Sequence, residues 1–303
     1  MDPIDEIKSR TTDYETRERW LQARVKGLGS SDAAAVLRQS RFSTPWKVWA
    51  DKLSLLEPMP EDKEWLRMGH LMEPVIANWY FEETGRKVYD LGDYAITKSL
   101  AHDWQVATVD RLDRGVADCG VAEFKCVGSI SCDMWRKDVP LEYQIQGQHQ
   151  LAVTGLDRIT FVCLFGSPTI HFRYFDLLRN DRFISAMTRR EESFWNNFVL
   201  TGKAPEAGGM KPDTEAMKRY KVKAGACELM PHIAELDTRR EELVGKLADL
   251  KEEKDSIDNR IKSAMGTADE AFSGETLLYS WKPNKNGTRQ FRRVNKSSDE
   301  GAL

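Results

Sequence analysis

Cysteine is scarce in this chain: there are five among 303 residues, at positions 119, 126, 132, 163 and 227, with no CxxC pair. That count offers neither a disulfide framework nor a zinc ribbon, and the five histidines form no HxxxH pair. Zinc and iron–sulfur chemistry are therefore set aside, and a reducing compartment fits. Long apolar runs are also missing. No stretch approaches the ~20 apolar residues that a membrane helix needs. The opening Met1-Asp2-Pro3-Ile4-Asp5-Glu6 lacks the basic and apolar regions of a signal peptide, so no membrane partner is expected. Positive charge is not in excess, with 45 Lys and Arg against 48 Asp and Glu. A nucleic-acid partner would have to use local basic patches on a near-neutral surface. The glycine loop Gly27-Leu28-Gly29-Ser30-Ser31-Asp32 has neither the GK[ST] ending of a P-loop nor the spacing of a dinucleotide fold.

What is present suits a folded α/β protein, with 41% hydrophobic and 31% charged residues and enough length for a full core. Glu18 to Arg24 reads as a short helix carrying Trp20. Ser30, Ser31 or Asp32 can cap the alanine-rich helix after the glycine loop. The same geometry, with Arg24 nearby, would make an anion seat. Pro45 opens a helix that turns Trp46 and Trp49 inward, and Pro58-Met59-Pro60 ends that unit. Glu64 to Thr84 forms a long helix with Leu66, Met68, Leu71, Val75, Ile76, Trp79 and Tyr80 as its apolar side, stopped by Gly85. Within it, Glu73 stands before Pro74, an odd place for a purely structural residue.

Strands follow at Lys87–Asp90, Tyr94–Thr97 and Trp104–Val109, the last leading into Asp110. Val121–Val127 is a further strand. Alternation puts Glu123 and Lys125 on one face and Phe124 in the core, and a loop can return Asp110 to that face. Two converging carboxylates make a hard-oxygen site for Mg²⁺, and an ammonium beside it can hold or deprotonate a water. This is the equipment of metal-assisted phosphodiester hydrolysis. Taken alone, Glu123 and Lys125 read first as a solvated ion pair on an exposed face. Leu141–Thr154 is a helix stopped by Gly155, with Tyr143, Gln146 and Gln150 on one face. Arg158–Phe165 and Thr169–Asp176 read as a hairpin around Gly166-Ser167-Pro168, and Asp181–Leu200 as an amphipathic helix. Helices, a mixed sheet and further helices give an α/β core.

Composition shifts from Thr201 to Gly209. The expected division is a domain over 1–205, a linker over 206–230 and an extension over 231–303. In the extension, Ile233–Met265 carries a heptad. One seam is Leu236, Leu243, Leu250 and Ile257; the other is Ile233, Arg240, Leu247, Lys254 and Ile261. Such a helix needs a partner, either the preceding domain or a second subunit. A hairpin with Asn286-Gly287 as its turn follows, its second strand Arg289–Arg293 basic, and Ser297–Leu303 reads as a frayed tail.

The motifs together resemble the phage lambda-exonuclease group, also called YqaJ-type viral recombinases, of the PD-(D/E)xK nuclease superfamily. The resemblance runs from Arg19 to Leu200. It rests on Trp20, Arg24 and the Gly27–Asp32 loop, on Gly69-x-x-x-Glu73, on Val109-Asp110, on Glu123-Phe124-Lys125-Cys126, and on Tyr143-x-x-Gln146-x-Gln148. Val109 stands where the superfamily's name has proline. The resemblance implies a restriction-endonuclease-like core, a central mixed sheet flanked by helices, with the helix and hairpin as a C-terminal extension. It implies that Asp110, Glu123, the backbone carbonyl of Phe124 and Glu73 hold Mg²⁺ or Mn²⁺, two ions per active site. Lys125 would orient or activate water, and Gln146 would contact the scissile region. Arg24 and Ser31, with Ser30, would seat a 5′-phosphate. The implied activity is 5′ to 3′ digestion of linear duplex DNA, leaving 3′ overhangs for a single-strand annealing protein. A ring-shaped homo-oligomer in the cytoplasm of a phage's or prophage's bacterial host is implied as well. The rival readings are an endonuclease of the same superfamily and a non-catalytic DNA-binding or coiled-coil interaction protein.

Overall fold

The computed structural model describes residues 2–57, 64–115, 118–166, 169–221, 225 and 231–294. Pro58–Pro60, the turn residues Ser167 and Pro168, Cys227 and the tail from Ser297 lie outside the described residues, as does the Leu66 side chain. The chain forms two compact units, Met1–Lys223 and Ala224–Leu303.

The first unit opens with α1 (Pro3–Ser9), β1 (Thr11–Asp13), α2 (Arg17–Arg24), α3 (Ser30–Val36), α4 (Pro45–Lys52) and α5 (Glu64–Thr84). Short strands follow, β2 (Lys87–Tyr89), β3 (Ala95–Lys98), β4 (Val106–Ala107) and β5 (Arg111–Arg114), then the long β6 (Cys119–Val127) and the short α6 (Ser129–Cys132). The helix α7 (Leu141–Thr154) crosses to β7 (Arg158–Phe165), which pairs with β8 (His171–Leu178). The unit closes with α8 (Asp181–Phe194), a π-helical turn over Trp195–Val199, and α9 (Lys211–Met217). Among the described residues no helix is long and apolar enough to cross a membrane.

The central sheet has the order β2-β5-β6-β7-β8, and only the β6–β7 pair is parallel. A parallel pair needs a crossover, and α7 supplies it. Both middle strands are covered on both faces, so they read as nearly continuous buried runs. On one face Val121, Ile159, Phe161 and Cys163 pack with Ile145 and Leu151 of α7. On the other, Ala122, Phe124 and Val162 pack with Ile76 and Tyr80 of α5. The helix α7 begins after Pro140 and ends at Gly155, whose φ of 80° is the left-handed cap that glycine adopts without strain. A Cβ on Gly147 would lie 3.1 Å from Ile159 and Phe161, so the missing side chain lets α7 sit close on β7.

Several sequence expectations change. The capping residue of α3 is Gly29; Asp32 reaches back from the third helical position to accept from the Gly29 amide at 2.9 Å. Met68, Leu71 and Val75, expected on the inner side of α5, are exposed, while Ile76 and Tyr80 are buried. The helix runs unbroken through Pro74. The stretch read as a loop between the strands instead contains β5, Arg111-Leu112-Asp113-Arg114. Its Asp113 is fully buried, made tenable by Arg158 at 2.6 Å and the Tyr80 hydroxyl at 2.7 Å. The segment Lys211–Tyr220, expected as linker, packs in the first unit. Ala216 joins the tryptophan core of Trp46, Trp49 and Trp195, and Tyr220 bridges to Leu56. Buried Asp213 anchors it by accepting from the Thr44 hydroxyl, whose own oxygen caps α4.

The second unit, described by itself, is α10 (Pro231–Met265) followed by the antiparallel sheet β9-β10-β11: β9 (Glu270–Ser273), β10 (Thr276–Pro283) and β11 (Arg289–Arg293). The expected hairpin is present, and β9 was not foreseen. Tyr279 stacks on Phe291 at 5.2 Å, and Arg289 lies 3.7 Å over the Trp281 ring.

Candidate active site

Three elements meet at the α7 face of the sheet. The bend between β4 and β5 supplies Asp110, β6 supplies Glu123 and Lys125, and α7 lies across them with Gln146 and Gln150. The pleat of β6 sends Glu123 and Lys125 toward α7 while Phe124 points away, as alternation requires.

Asp110 is tied to β6 by the Phe124 amide, which donates to its Oδ2 at 2.7 Å. Glu123 is 3% exposed and receives three donors: Lys125 Nζ and Gln146 Nε2 reach its Oε1, each at 2.6 Å, and Gln150 Nε2 reaches its Oε2 at 2.8 Å. The Gln150 amide also donates to the Thr108 carbonyl at 3.2 Å, so one buried side chain joins the β4–β5 bend to β6. Its own Oε1 is buried without a partner. The Lys125 ammonium lies 5.4 Å from the centre of the Tyr143 ring.

The electrostatics are unbalanced. Burial, with the charges of Glu123 and Glu73 adding to it, pushes Asp110 up to about 8, against the opposing pull of Lys125 and the Phe124 amide. Burial alone would lower the Lys125 ammonium, but Glu123 and Asp110 raise it above its ordinary value. Lys125 is bonded to Glu123, so Asp110 beside them resists giving up its proton. Two carboxylates and a backbone carbonyl are hard oxygen donors, and a pair that resists ionising together is a donor set that a divalent cation would complete.

Glu73 approaches differently. It rides on α5, across the sheet, with His70 at 3.1 Å and Arg111 at 3.9 Å. Its charge reaches Asp110, yet among the described residues no three carboxylate, imidazole or thiol groups converge into an ion cage. Arg24 and Ser31 do meet, at 3.1 Å, with the guanidinium 4.6 Å over the Trp20 ring. Ser30, next to them in the chain, is buried. Asp32 beside them is neutralised by Lys52 at 2.6 Å.

Two further groups escaped sequence reasoning. Gln150 was placed on the right helix face but given no role; its spacing of four from Gln146, astride Gly147, was the available signal. The other is a sealed network under α7. His149 Nδ1 faces Glu191 Oε1 at 2.8 Å, and its Nε2 faces the Val106 carbonyl at 2.9 Å. Both imidazole nitrogens meet acceptors, so both carry protons. Gln105 completes the network by donating to Glu191 Oε2 at 3.0 Å. It pins α7 and α8 to β4 at Val106, four residues before Asp110.

Residues 19–157 match the model of the YqaJ-like viral recombinase domain. Across 274 residues the chain is 28% identical to the uncharacterized protein YqaJ of Bacillus subtilis (strain 168), covering 88% of this chain and 84% of that one. Its fold is similar to the alkaline exonuclease LHK-Exo from Laribacter hongkongensis, with a TM-score of 0.50, 20% identity, and coverage of 61% of this chain and 94% of that one. The same enzyme in complex with dAMP gives a TM-score of 0.52. Residues 19–157 thus resemble a YqaJ-like viral recombinase domain, and the fold of the chain is similar to that of an alkaline exonuclease.

Proposed function

We propose that this chain is a divalent-metal-dependent deoxyribonuclease that digests one strand of linear duplex DNA from the 5′ end. The observation that carries the reading is the buried carboxylate pair, Asp110 and Glu123, with a single ammonium beside it and Asp110 pushed up to about 8. Asp110, Glu123 and the Phe124 carbonyl would hold Mg²⁺ or Mn²⁺, two ions in the full site, with Glu73 contributing from α5. Bound there, such ions supply Lewis-acid stabilisation of the charge that develops on the phosphate.

The chain's own residues do the rest. Gln146 and Gln150 fix the Glu123 carboxylate, so its oxygens need no reorganisation when charge builds up. Lys125, kept as an ammonium, is a hydrogen-bond donor that orients the attacking water. Water oxygen bonds to phosphorus, the bond from phosphorus to the 3′ oxygen breaks, and the leaving oxygen takes up a proton. Each cut regenerates a 5′-phosphate on the remaining strand. Arg24 and Ser31 form a cationic, exposed pair suited to hold that terminal phosphate, which gives the enzyme its direction. The 3′ overhang is then a substrate for an annealing protein. A ring-shaped homo-oligomer and a phage or prophage setting in a bacterial cytoplasm follow from the family resemblance.

The test is digestion, in Mg²⁺, of linear duplex with 5′-phosphate, linear duplex with 5′-hydroxyl, and covalently closed circular DNA, with Lys125→Ala as control. Rapid loss of the phosphorylated linear form with the circle untouched is expected. Nicking of the circle would reassign the chain as an endonuclease, and inactivity on all three would refute the nuclease reading.

A further inference from the structure

The helix α10 is 35 residues long, and every residue from Ala234 to Ile257 is exposed. Along it, Leu236, Leu243, Leu247, Leu250 and Ile257 form an uncovered apolar seam, with Leu247 66% exposed. Two basic residues, Arg240 and Lys254, interrupt the seam at heptad positions equivalent to Leu247. We propose that this seam is the contact face of an antiparallel helix pair formed with a second copy of the chain, its two-fold axis passing between Ala248 and Asp249.

The placement of the two basic residues selects the partner and the direction. In a parallel pair like positions face each other, so Arg240 would meet Arg240 and Lys254 would meet Lys254 inside the seam. The flanks would be no better, because Lys246 would lie beside Lys251 and Glu253 beside Asp258 of the second copy. Reversing one helix about the stated axis changes every layer. Leu247 then faces Leu250, Leu243 faces Lys254, Arg240 faces Ile257 and Leu236 faces Ile261, each layer occurring twice by symmetry. No like charges meet within the seam. Each basic side chain lays its aliphatic stem on an apolar partner and carries its head outward. The head groups already have acceptors on their own helix: Lys254 is 2.6 Å from Asp258, and Arg240 is 2.5 Å from Glu241.

On the flanks, Lys246 meets Glu253 of the second copy. The like-charged flanks, Arg239 with Arg260 and Asp237 with Asp258, fall near the seam's ends. There Glu242 already holds Arg239 at 2.6 Å, and Lys254 holds Asp258. Self-complementarity about a single axis is the mark of a two-fold contact between identical chains. An unrelated partner would have no reason to match the spacing of Arg240 and Lys254 to Ile257 and Leu243. This pairing is independent of the chemistry proposed for the first unit.

The experiment uses full-length chains carrying either Leu243→Cys or Lys254→Cys. The two variants are mixed, oxidised mildly and compared on non-reducing gels with the unsubstituted chain, which reports any background from the native cysteines. A covalent dimer formed in the mixture and in neither variant alone is expected. Adding Leu247→Glu and Leu250→Glu to both chains should abolish it. A dimer formed by Leu243→Cys alone would show a parallel pair and overturn the proposal. So would a mixture that stays uncrosslinked, or a crosslink that survives the two glutamates.

Discussion

Replacing Glu191 by leucine isolates the sealed network beneath α7. In the native protein Glu191 and His149 are both fully buried, 2.8 Å apart, and Gln105 donates to the second carboxylate oxygen. Glu191→Leu leaves His149 and Gln105 without their acceptor. Breaking one side of a buried charged pair costs about 3–5 kcal/mol. For a unit of this size, Met1–Lys223, each kcal/mol lowers Tm by about 2–4 °C, so a drop of roughly 6–20 °C is expected. Tryptophan fluorescence suits the assay, because of nine tryptophans only Trp281 lies outside the first unit. The pH dependence carries the sharper test. Burial alone would lower the His149 pKa, but the charge and hydrogen bond of Glu191, with the Val106 carbonyl, raise it. The native pair therefore contributes fully below the unfolded value of about 6.5, and its contribution fades as pH rises through the folded value. In Glu191→Leu the raising causes are gone, burial depresses the imidazole, and the variant loses stability as pH falls. The gap between the two proteins should be widest below the unfolded value of about 6.5 and narrow as pH rises through the raised folded value. A gap that stays constant over that range would refute a charged His149.

Four other outcomes are expected. Glu123→Gln should abolish cleavage while binding of linear duplex, followed by fluorescence anisotropy, persists; retained cleavage would remove Glu123 from the site. Gln150→Met keeps the volume but removes the donor to Glu123 Oε2 and to the Thr108 carbonyl. It should lower kcat about tenfold, equivalent to ~1.4 kcal/mol, with KM for DNA little changed. A loss confined to KM would make Gln150 a substrate contact instead. Gly120→Ala places a Cβ within 2.8 Å of the Arg158 guanidinium and should cost about 2 kcal/mol in thermal unfolding. Gly69→Ala, with nothing within 4 Å in α5, should be neutral or stabilising by up to ~1 kcal/mol.

Legibility in the sequence followed the kind of force involved. Elements set by strong periodicity and stops were readable. Leu141–Thr154 with its Gly155 cap and Arg158–Phe165 emerge with the expected bounds. Glu123 and Lys125 share a face, as alternation alone requires. The unreadable parts are those in which a charged residue is buried by a distant partner. Nothing local marks Asp113 as interior; the mark is Arg158, 45 residues away. For the same reason β5 resembled a loop, and Lys211–Tyr220 resembled a linker until Thr44 and Trp46 were seen to receive it. Gln148 and Gln150, which a helical pattern would leave in water, are buried because their acceptors are a backbone carbonyl on β8 and a carboxylate on β6.

The buried acids also separate structural charge from chemical charge. On the α5 face, Asp118 is held low by its hydrogen bond from Arg158. Asp176 would be raised by burial, but hydrogen bonds from Arg86 and Thr160 more than reverse it. Near the start of the chain, burial of Asp32 is likewise outweighed by Lys52 and Arg24. Each of these acids has a guanidinium or ammonium close by, and each is more acidic than a free carboxyl. Among the described carboxyls with a shifted value, Asp110 alone moves the other way, up to about 8, although it too has a cation in reach. The difference is sharing: Lys125 is bonded to Glu123, and Asp110 receives only an amide and a more distant charge. A fold seeking stability alone would have placed a second basic residue there, as it did on the opposite face of the sheet. Leaving two carboxylates to one lysine costs stability in the metal-free protein. Positive charge arriving from outside would offset that cost, which is why Asp110 and Glu123 are the candidate positions for the chemistry.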